Sequence, residues 1–106
     1  MAQKHVVVAR VGEIQFGESK RVSPQRGEHI LICNVGGTLY AISDVCTHDG
    51  GILGFGDLDD NIIECPRHGA RFDVTTGQAV APPAMKPVRV YPIRVKGEDV
   101  EVELDR

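Results

Sequence analysis

Glycine and proline limit what this chain can fold into. Twelve glycines and six prolines are distributed over its 106 residues. No segment longer than about twelve residues keeps a helical period, and the short segments between turns are rich in β-branched and apolar residues. The sequence therefore predicts an all-β fold, an antiparallel β-sandwich or small barrel built from many short strands.

The predicted strands are residues 4–11, 28–34, 38–43, 61–65, 71–74, 88–96 and 100–104. In the last of these, Val100, Val102 and Leu104 alternate with acidic residues, which predicts one buried and one exposed face. In the strand before it, the apolar positions slip by one residue at Pro92. A bulge on a sheet edge is predicted at Pro92, because it would keep both sets of apolar side chains in the core.

Charge and composition exclude several classes of protein. Twelve basic and fifteen acidic residues give a net charge of −3, whereas nucleic-acid-binding domains usually carry a basic face. There is no apolar run of about eighteen residues to cross a membrane, and the first ten residues resemble no secretion signal. A cytoplasmic location is expected, and in that reducing compartment the three cysteines are interpreted as metal ligands or buried thiols.

Two short segments each carry one thiol and one imidazole. Cys46 and His48 lie in the first and Cys65 and His68 in the second, with sixteen residues between His48 and Cys65. Two sulfur and two nitrogen ligands suit zinc or an iron–sulfur cluster. Structural zinc sites often take a cysteine pair from one segment and a histidine pair or second cysteine pair from the other. Mixed segments favour a two-iron cluster with both thiolates on one iron and both imidazoles on the other, and a structural zinc module is the alternative.

These segments resemble the Rieske [2Fe–2S] motif. The similarity continues through Arg71-Phe72-Asp73, Thr76-Gly77 and Pro82-Pro83 to the closing strands. The resemblance implies that Cys46 and Cys65 bind one iron and that His48 and His68 bind the other. It also implies that the proline stretch packs beside the cluster. The implied fold is a single Rieske domain over residues 1–106, with a cluster-binding subdomain (loops at about 44–83) on a larger β base.

Four positions that do not bind iron distinguish the chain within this family. Gly51 and Arg67 stand where the Rieske subunits of respiratory and photosynthetic complexes carry a disulfide, and Ala70 and Phe72 stand where those proteins carry a serine and a tyrosine. Hydroxyl donors to the cluster sulfurs stabilise the more negative, reduced cluster and raise its potential. Without them the expected reduction potential is near the low end of the Rieske range, roughly −150 mV.

In these respects the chain resembles the soluble bacterial Rieske-type ferredoxins of ring-hydroxylating dioxygenase systems, which serve aromatic hydrocarbon catabolism. The resemblance implies a monomeric one-electron carrier between a flavin-containing, NAD(P)H-dependent reductase and a terminal Rieske non-haem iron oxygenase. The chain ends at Arg106, just after the last predicted strand, and His5 and His29 have no neighbouring ligand set. No catalytic site of its own is therefore expected. The alternative is a small Rieske subunit of another oxidoreductase, such as a nitrite-reductase-like complex.

Other reactive or charged residues near the two segments receive simpler interpretations. Cys33 shares a strand face with Leu31 and is interpreted as a buried structural thiol, with a fifth ligand or redox thiol as the alternative. Charged residues flank both segments and are interpreted as solvated surface positions, or alternatively as residues that steer a charged partner: Asp44, Asp49, Arg67 and Arg71.

Overall fold

The computed structural model describes residues 3–47, 50–66, 69–81 and 86–105. Within these ranges the chain forms short strands and two single-turn 3-10 helices, Val11–Glu13 and Leu53–Phe55. The strands are β1 (Gln3–Arg10), β2 (Ser19–Gln25), β3 (Glu28–Val35), β4 (Thr38–Ser43), β5 (Leu58–Asp59), β6 (Ile62–Glu64), β7 (Arg71–Asp73), β8 (Ala79–Ala81), β9 (Val90–Tyr91), β10 (Ile93–Lys96) and β11 (Asp99–Asp105). No helix in the described ranges is long and apolar enough to span a membrane.

The strands form three sheets in which every pair of neighbours is antiparallel. The outer sheet has the order β1-β11-β10, the central sheet β2-β3-β4-β9, and the small sheet β5-β6-β7-β8. The small sheet corresponds to the smaller subdomain that the sequence predicts, and the other two sheets correspond to its larger β base. The predicted all-β antiparallel fold is confirmed.

Strand β3 lies between two hydrophobic cores. Ile30 and Ile32 belong to the core shared with the outer sheet, and Leu31 and Cys33 belong to the core shared with the small sheet. All four side chains are fully buried. A strand covered on both faces needs an unbroken apolar run, since each fully buried aliphatic side chain stabilises the fold by roughly 1.5–3 kcal/mol.

The alternation predicted for the last strand is confirmed, with one exception. Val100, Val102 and Leu104 are fully buried in β11. Glu101, on the other face, is only 8% exposed, because the Arg94 Nε donates to its carboxylate at 2.7 Å from the neighbouring strand. Strand β11 is central in its sheet, so Glu101 is flanked by a strand on either side, whereas Glu103 on the same face stays partly exposed.

The bulge predicted at Pro92 is wrong, because the chain changes sheets there. Tyr91 pairs with Ala41 in the central sheet, whereas Ile93 pairs with Val102 in the outer sheet. Pro92 has no N–H to donate to either ladder, and its carbonyl accepts from the Glu103 N–H at 2.9 Å. The expectation that both apolar sets lie in the core is also wrong, because Val88 is buried whereas Val90 and Val95 are 40% and 50% exposed.

Candidate metal centre

Each of the two cysteine segments is closed by its own pair of backbone hydrogen bonds, and the two pairs have the same pattern. In the first loop, residues 46–51, the Cys46 N–H donates to the Gly51 carbonyl at 2.8 Å and the Gly50 N–H donates to the Cys46 carbonyl at 2.9 Å. In the second, residues 65–70, the Cys65 N–H donates to the Ala70 carbonyl at 2.7 Å and the Gly69 N–H donates to the Cys65 carbonyl at 3.1 Å.

The fifth residue of each loop is a glycine in the left-handed region. Gly50 and Gly69 both have φ 76°, a conformation that residues with a Cβ adopt at a cost. The two loops thus share a closed backbone frame that begins at a cysteine. In sequence, each frame also contains one histidine. These histidines, His48 and His68, lie outside the described residues.

Both frames place their cysteine in the same buried core. Cys46 and Cys65 are each 1% exposed. They share this core with the following buried side chains: Leu31, Cys33, Ile42, Leu53, Ile63, Ala70, Phe72, Val74 and Val88. The structure therefore brings together the two cysteines that the sequence assigned to one metal centre. Two buried thiols on matched loops, each loop with one histidine in its sequence, fit a mixed sulfur and nitrogen donor set.

The second loop is the connection of a β-hairpin. It joins β6 to β7, in which Ile63 pairs with Phe72 and Glu64 pairs with Arg71. The Arg71 Nε donates to the Glu64 carboxylate at 3.0 Å across the base of the loop, with both side chains about half exposed. Arg71 is therefore a surface residue, as predicted, and it is engaged in an ion pair.

The first loop is held in a different way, and the interpretation of Asp44 as a surface residue is wrong. Asp44 directly follows β4, two residues before Cys46, and is 1% exposed. Its carboxylate accepts from the Arg21 Nε at 2.6 Å and from the Gly54 N–H at 2.7 Å. An aspartate directly after an apolar strand was the available sequence signal, but its partner Arg21 lies in β2, which the sequence did not predict.

The first loop also contacts the segment that follows the proline stretch. The Thr47 hydroxyl donates to the Lys86 carbonyl at 2.7 Å. Pro82 and Pro83, predicted to lie beside the cluster, are outside the described residues, as are Asp49 and Arg67. The hydrogen bond from Thr47 nevertheless places Lys86, which follows the proline stretch in sequence, against the loop that carries Cys46.

Cys33 is buried, as predicted, in the same core as Cys46 and Cys65. Burial, and to a smaller extent the negative charge of Asp44, raises the pKa of the Cys33 thiol to about 12. Cys33 therefore stays protonated at neutral pH. Because the thiolate is the form that binds metal and attacks electrophiles, this environment favours a structural role.

Known proteins share both the sequence pattern and the fold. Residues 4–92 match the model of the Rieske [2Fe-2S] domain family. The chain is 42% identical, over 94 residues, to the ferredoxin component of biphenyl 2,3-dioxygenase from Rhodococcus jostii (strain RHA1), covering 89% of this chain and 87% of that protein.

Two solved structures resemble this chain over nearly its whole length. One is the ferredoxin of carbazole 1,9a-dioxygenase from Nocardioides aromaticivorans IC177, with a TM-score of 0.88, 34% identity and coverage of 93% of this chain and 96% of that one. The other is a complex of reduced oxygenase and oxidized ferredoxin in carbazole 1,9a-dioxygenase, where the TM-score is 0.89, the identity 35% and the coverage 92% and 91%. With matched cysteine loops in one core and this likeness in sequence and fold, the chain belongs to the Rieske [2Fe–2S] domain family.

Proposed function

We propose that this chain carries single electrons to the terminal oxygenase of an aromatic ring-hydroxylating dioxygenase system. The observation that carries the proposal is the pair of identically closed cysteine loops in one buried core, on a chain that resembles ferredoxin components of such systems over most of its length. A bound Rieske cluster supplies a one-electron couple.

The proposed ligands are Cys46 and Cys65 for one iron and His48 and His68 for the other. Support for the cysteines comes from their burial in the same core. Support for the histidines comes from their positions in sequence, one inside each closed loop. The loop hydrogen bonds fix the cysteine backbones, so little rearrangement of these two ligands is needed when the cluster changes charge.

A low reduction potential is part of the proposal. Ala70 and Phe72 are fully buried in the same core as the two cysteines, and neither side chain carries a hydroxyl. An apolar wall provides no hydrogen bond to cluster sulfur and disfavours the more negative reduced state. Both effects lower the potential, which suits a carrier that must deliver electrons to an oxygenase.

The proposed donor is a flavin-containing, NAD(P)H-dependent reductase. We propose further that residues 1–106 form one cytoplasmic, monomeric domain without a catalytic site of its own. The relatives named for dioxygenase ferredoxin components support the oxygenase as acceptor.

The test uses the purified chain with its cluster. Reduction with dithionite under argon should give the EPR spectrum of a Cys/His-ligated two-iron cluster and a midpoint potential of roughly −150 mV. With NADH, a reductase and a terminal oxygenase of a ring-hydroxylating system, the chain should restore product formation. A colourless protein that binds zinc, or a red-brown protein that the reductase cannot reduce, would contradict the proposal.

Substitution of each proposed ligand by alanine tests the ligand set. Each of the four variants should lose the spectrum of the mixed-ligand cluster. Cys33→Ala is the matched control, because it removes a third cysteine from the same core and should retain that spectrum. Loss of the spectrum in Cys33→Ala, or its survival in a ligand variant, would overturn the assignment.

A further inference from the structure

The two cluster loops are supported unequally. The second loop connects two paired strands, so a ladder of hydrogen bonds leads into it and out of it. The first loop follows β4, and in the described part of this segment an isolated bridge, Val45 with Ile52, joins its two sides before the Leu53–Phe55 helix begins. Some other interaction must hold the first loop in place.

Asp44 supplies that interaction through its carboxylate, and its backbone N–H and carbonyl are hydrogen-bonded as well. Its N–H donates to the His29 carbonyl at 3.0 Å, and its carbonyl accepts from the Leu53 N–H at 3.0 Å, which is one of the two hydrogen bonds of the Val45–Ile52 bridge. Its two carboxylate oxygens accept from the Gly54 N–H and the Arg21 Nε. The bonds to Leu53 and Gly54 close a ring over residues 44–54, and the hydrogen-bonded loop that begins at Cys46 lies inside this ring.

Arg21 reaches this ring from β2, on the edge of the central sheet. Its guanidinium lies 4.7 Å from the centre of the Phe55 ring, while its Nε donates to Asp44 at 2.6 Å. Gly54 allows this approach, because a Cβ at that position would lie 2.5 Å from the Arg21 Cγ and 3.0 Å from the Asp44 Oδ1. Arg21 thus contacts both ends of the segment that carries the first loop, at Asp44 and at the Leu53–Phe55 helix.

We propose that the Arg21–Asp44 pair is a positioning element for the first cluster loop. It substitutes for the strand pairing that supports the second loop, and it fixes where the segment of Cys46 and His48 meets the cluster. The inference rests on the proposed function, since it assumes that this loop supplies ligands. Arg21 acts through Asp44 and the loop backbone, without touching the cluster itself.

A matched ion pair elsewhere in the molecule provides the control. The Arg94 Nε donates to Glu101 at 2.7 Å, with side-chain exposures of 49% and 11%, compared with 41% and 2% for Arg21 and Asp44. The Arg94 pair lies within the outer sheet, on strands that carry neither cluster loop. Arg21→Gln and Arg94→Gln therefore remove the same kind of bond, but only the first removes it beside a cluster loop.

The experiment measures how fast an iron chelator bleaches the visible absorbance of the two oxidised holoproteins. Arg21→Gln should lose its cluster roughly tenfold faster than the unsubstituted protein and should show shifted g-values after reduction, whereas Arg94→Gln should stay within about twofold with unchanged g-values. Arg21→Lys, which restores a cation opposite Asp44, should recover most of the difference. Gly54→Ala should reproduce the Arg21→Gln effect, because its new Cβ displaces Arg21 from Asp44.

Two outcomes would overturn the inference, and they are distinguishable. If the unsubstituted protein has the Rieske spectrum and Arg21→Gln behaves like Arg94→Gln, the pair is an ordinary structural ion pair and only this inference fails. If the unsubstituted protein holds no Rieske cluster, the proposed function fails and this inference fails with it. Should Arg21→Gln not fold, Arg21→Lys and Gly54→Ala carry the same comparison.

Discussion

At the scale of single residues, the apolar side chains that share a core with the two cysteines should influence the reduction potential. Ala70 is the clearest case, because its carbonyl closes the second loop on Cys65 while its methyl group is fully buried in the shared core. A hydroxyl at this position would stand at the end of the ligand loop, with no contact to solvent. Position 70 is therefore a position at which a substitution should change the reduction potential.

We expect Ala70→Ser to raise the reduction potential. One hydrogen bond to a charged acceptor contributes about 1.5 kcal/mol, which for a one-electron couple corresponds to a rise of about 60 mV. The measurement is a redox titration followed by visible absorbance or EPR. Ala41→Ser is the control, because Ala41 is equally buried but belongs to the core on the other side of the central sheet. A rise of equal size in both variants would contradict the argument.

At the scale of elements, the hairpin β6–β7 and the turn before it form a tightly closed unit. Gly56 precedes β5, and a Cβ at that position would overlap the carbonyl of Glu64, the residue before Cys65. The Glu64 N–H also donates to the Asp57 carbonyl at 3.0 Å. The chain on the outgoing side of the first loop therefore packs directly against the backbone that leads into the second.

Gly56→Ala should disrupt this contact between the two loops. Because the clash is with backbone, no rotamer change relieves it, and we expect a loss of about 3 kcal/mol in the free energy of unfolding together with faster cluster release. Gly12→Ala is the control, since its Cβ would meet nothing within 4 Å. The measurements are guanidinium unfolding followed by circular dichroism and bleaching by a chelator. Equal stability of the two variants would contradict the prediction.

The sequence predicted those elements whose local pattern matches their surroundings. The β3–β4 hairpin around Gly36 and Gly37 and the alternating strand β11 are examples. Strand β2 was missed because its residues alternate weakly and include Pro24, which is acceptable only because β2 is an edge strand. Strands β5 and β8 contain only two and three residues, too few for a period to appear.

At the candidate site, the sequence predicted the residues of the two loops but not the ion pair that supports the first loop. The spacing predicted that Cys46 and Cys65 share one site, and both lie in one core, because the loop frames depend on local features such as Gly50 and Gly69. The role of His48 and His68 as ligands stays a prediction. The supporting pair Arg21 and Asp44 could not be predicted, since it joins residues 23 positions apart, one in β2 and one directly after β4, and these strands pair only through β3. Contacts of this kind depend on sheet order, which short segments of sequence do not determine.

At the scale of the whole molecule, the central sheet separates two hydrophobic cores, of which one contains Cys46 and Cys65. The core against the small sheet contains the cysteines, and the core against the outer sheet contains no described residue of the cluster loops. Strand β3 contributes to both, so loss of packing in one core removes a wall of the other. We therefore expect the three layers to unfold as one cooperative unit, and a group in the core distant from the cluster should report on the stability of the whole protein.

Tyr91 is such a group. It is 4% exposed in the outer core, and its hydroxyl donates to the Glu28 carboxylate, while Arg89 lies 4.5 Å from the centre of its ring. Burial, followed by the hydrogen bond to Glu28 and the charge of Glu28, raises the pKa of Tyr91 from 10.0 to about 12, against a smaller opposing effect of Arg89. The folded protein therefore keeps the phenol proton at a pH where the unfolded chain has released it.

This difference predicts the direction of the alkaline stability curve. Below pH 10 both the folded and the unfolded state hold the phenol proton, so Tyr91 makes its full contribution to the free energy of unfolding. Between pH 10 and about 12 only the unfolded state releases this proton, and the free energy of unfolding falls. One proton corresponds to a slope of about 1.4 kcal/mol per pH unit. Tyr91→Phe should be less stable at pH 8, because Glu28 loses its donor, but its unfolding free energy should fall less steeply above pH 10.

The measurement is guanidinium unfolding of the holoprotein, followed by circular dichroism at several values of pH from 8 to 12. Tyr40→Phe, which removes the other tyrosine hydroxyl of the chain, is the matched control. A slope that Tyr91→Phe leaves unchanged, or that Tyr40→Phe flattens equally, would show that the alkaline loss arises elsewhere. If instead the cluster absorbance and the circular dichroism are lost at different denaturant concentrations, the cores do not unfold together, and the shared strand β3 does not couple them.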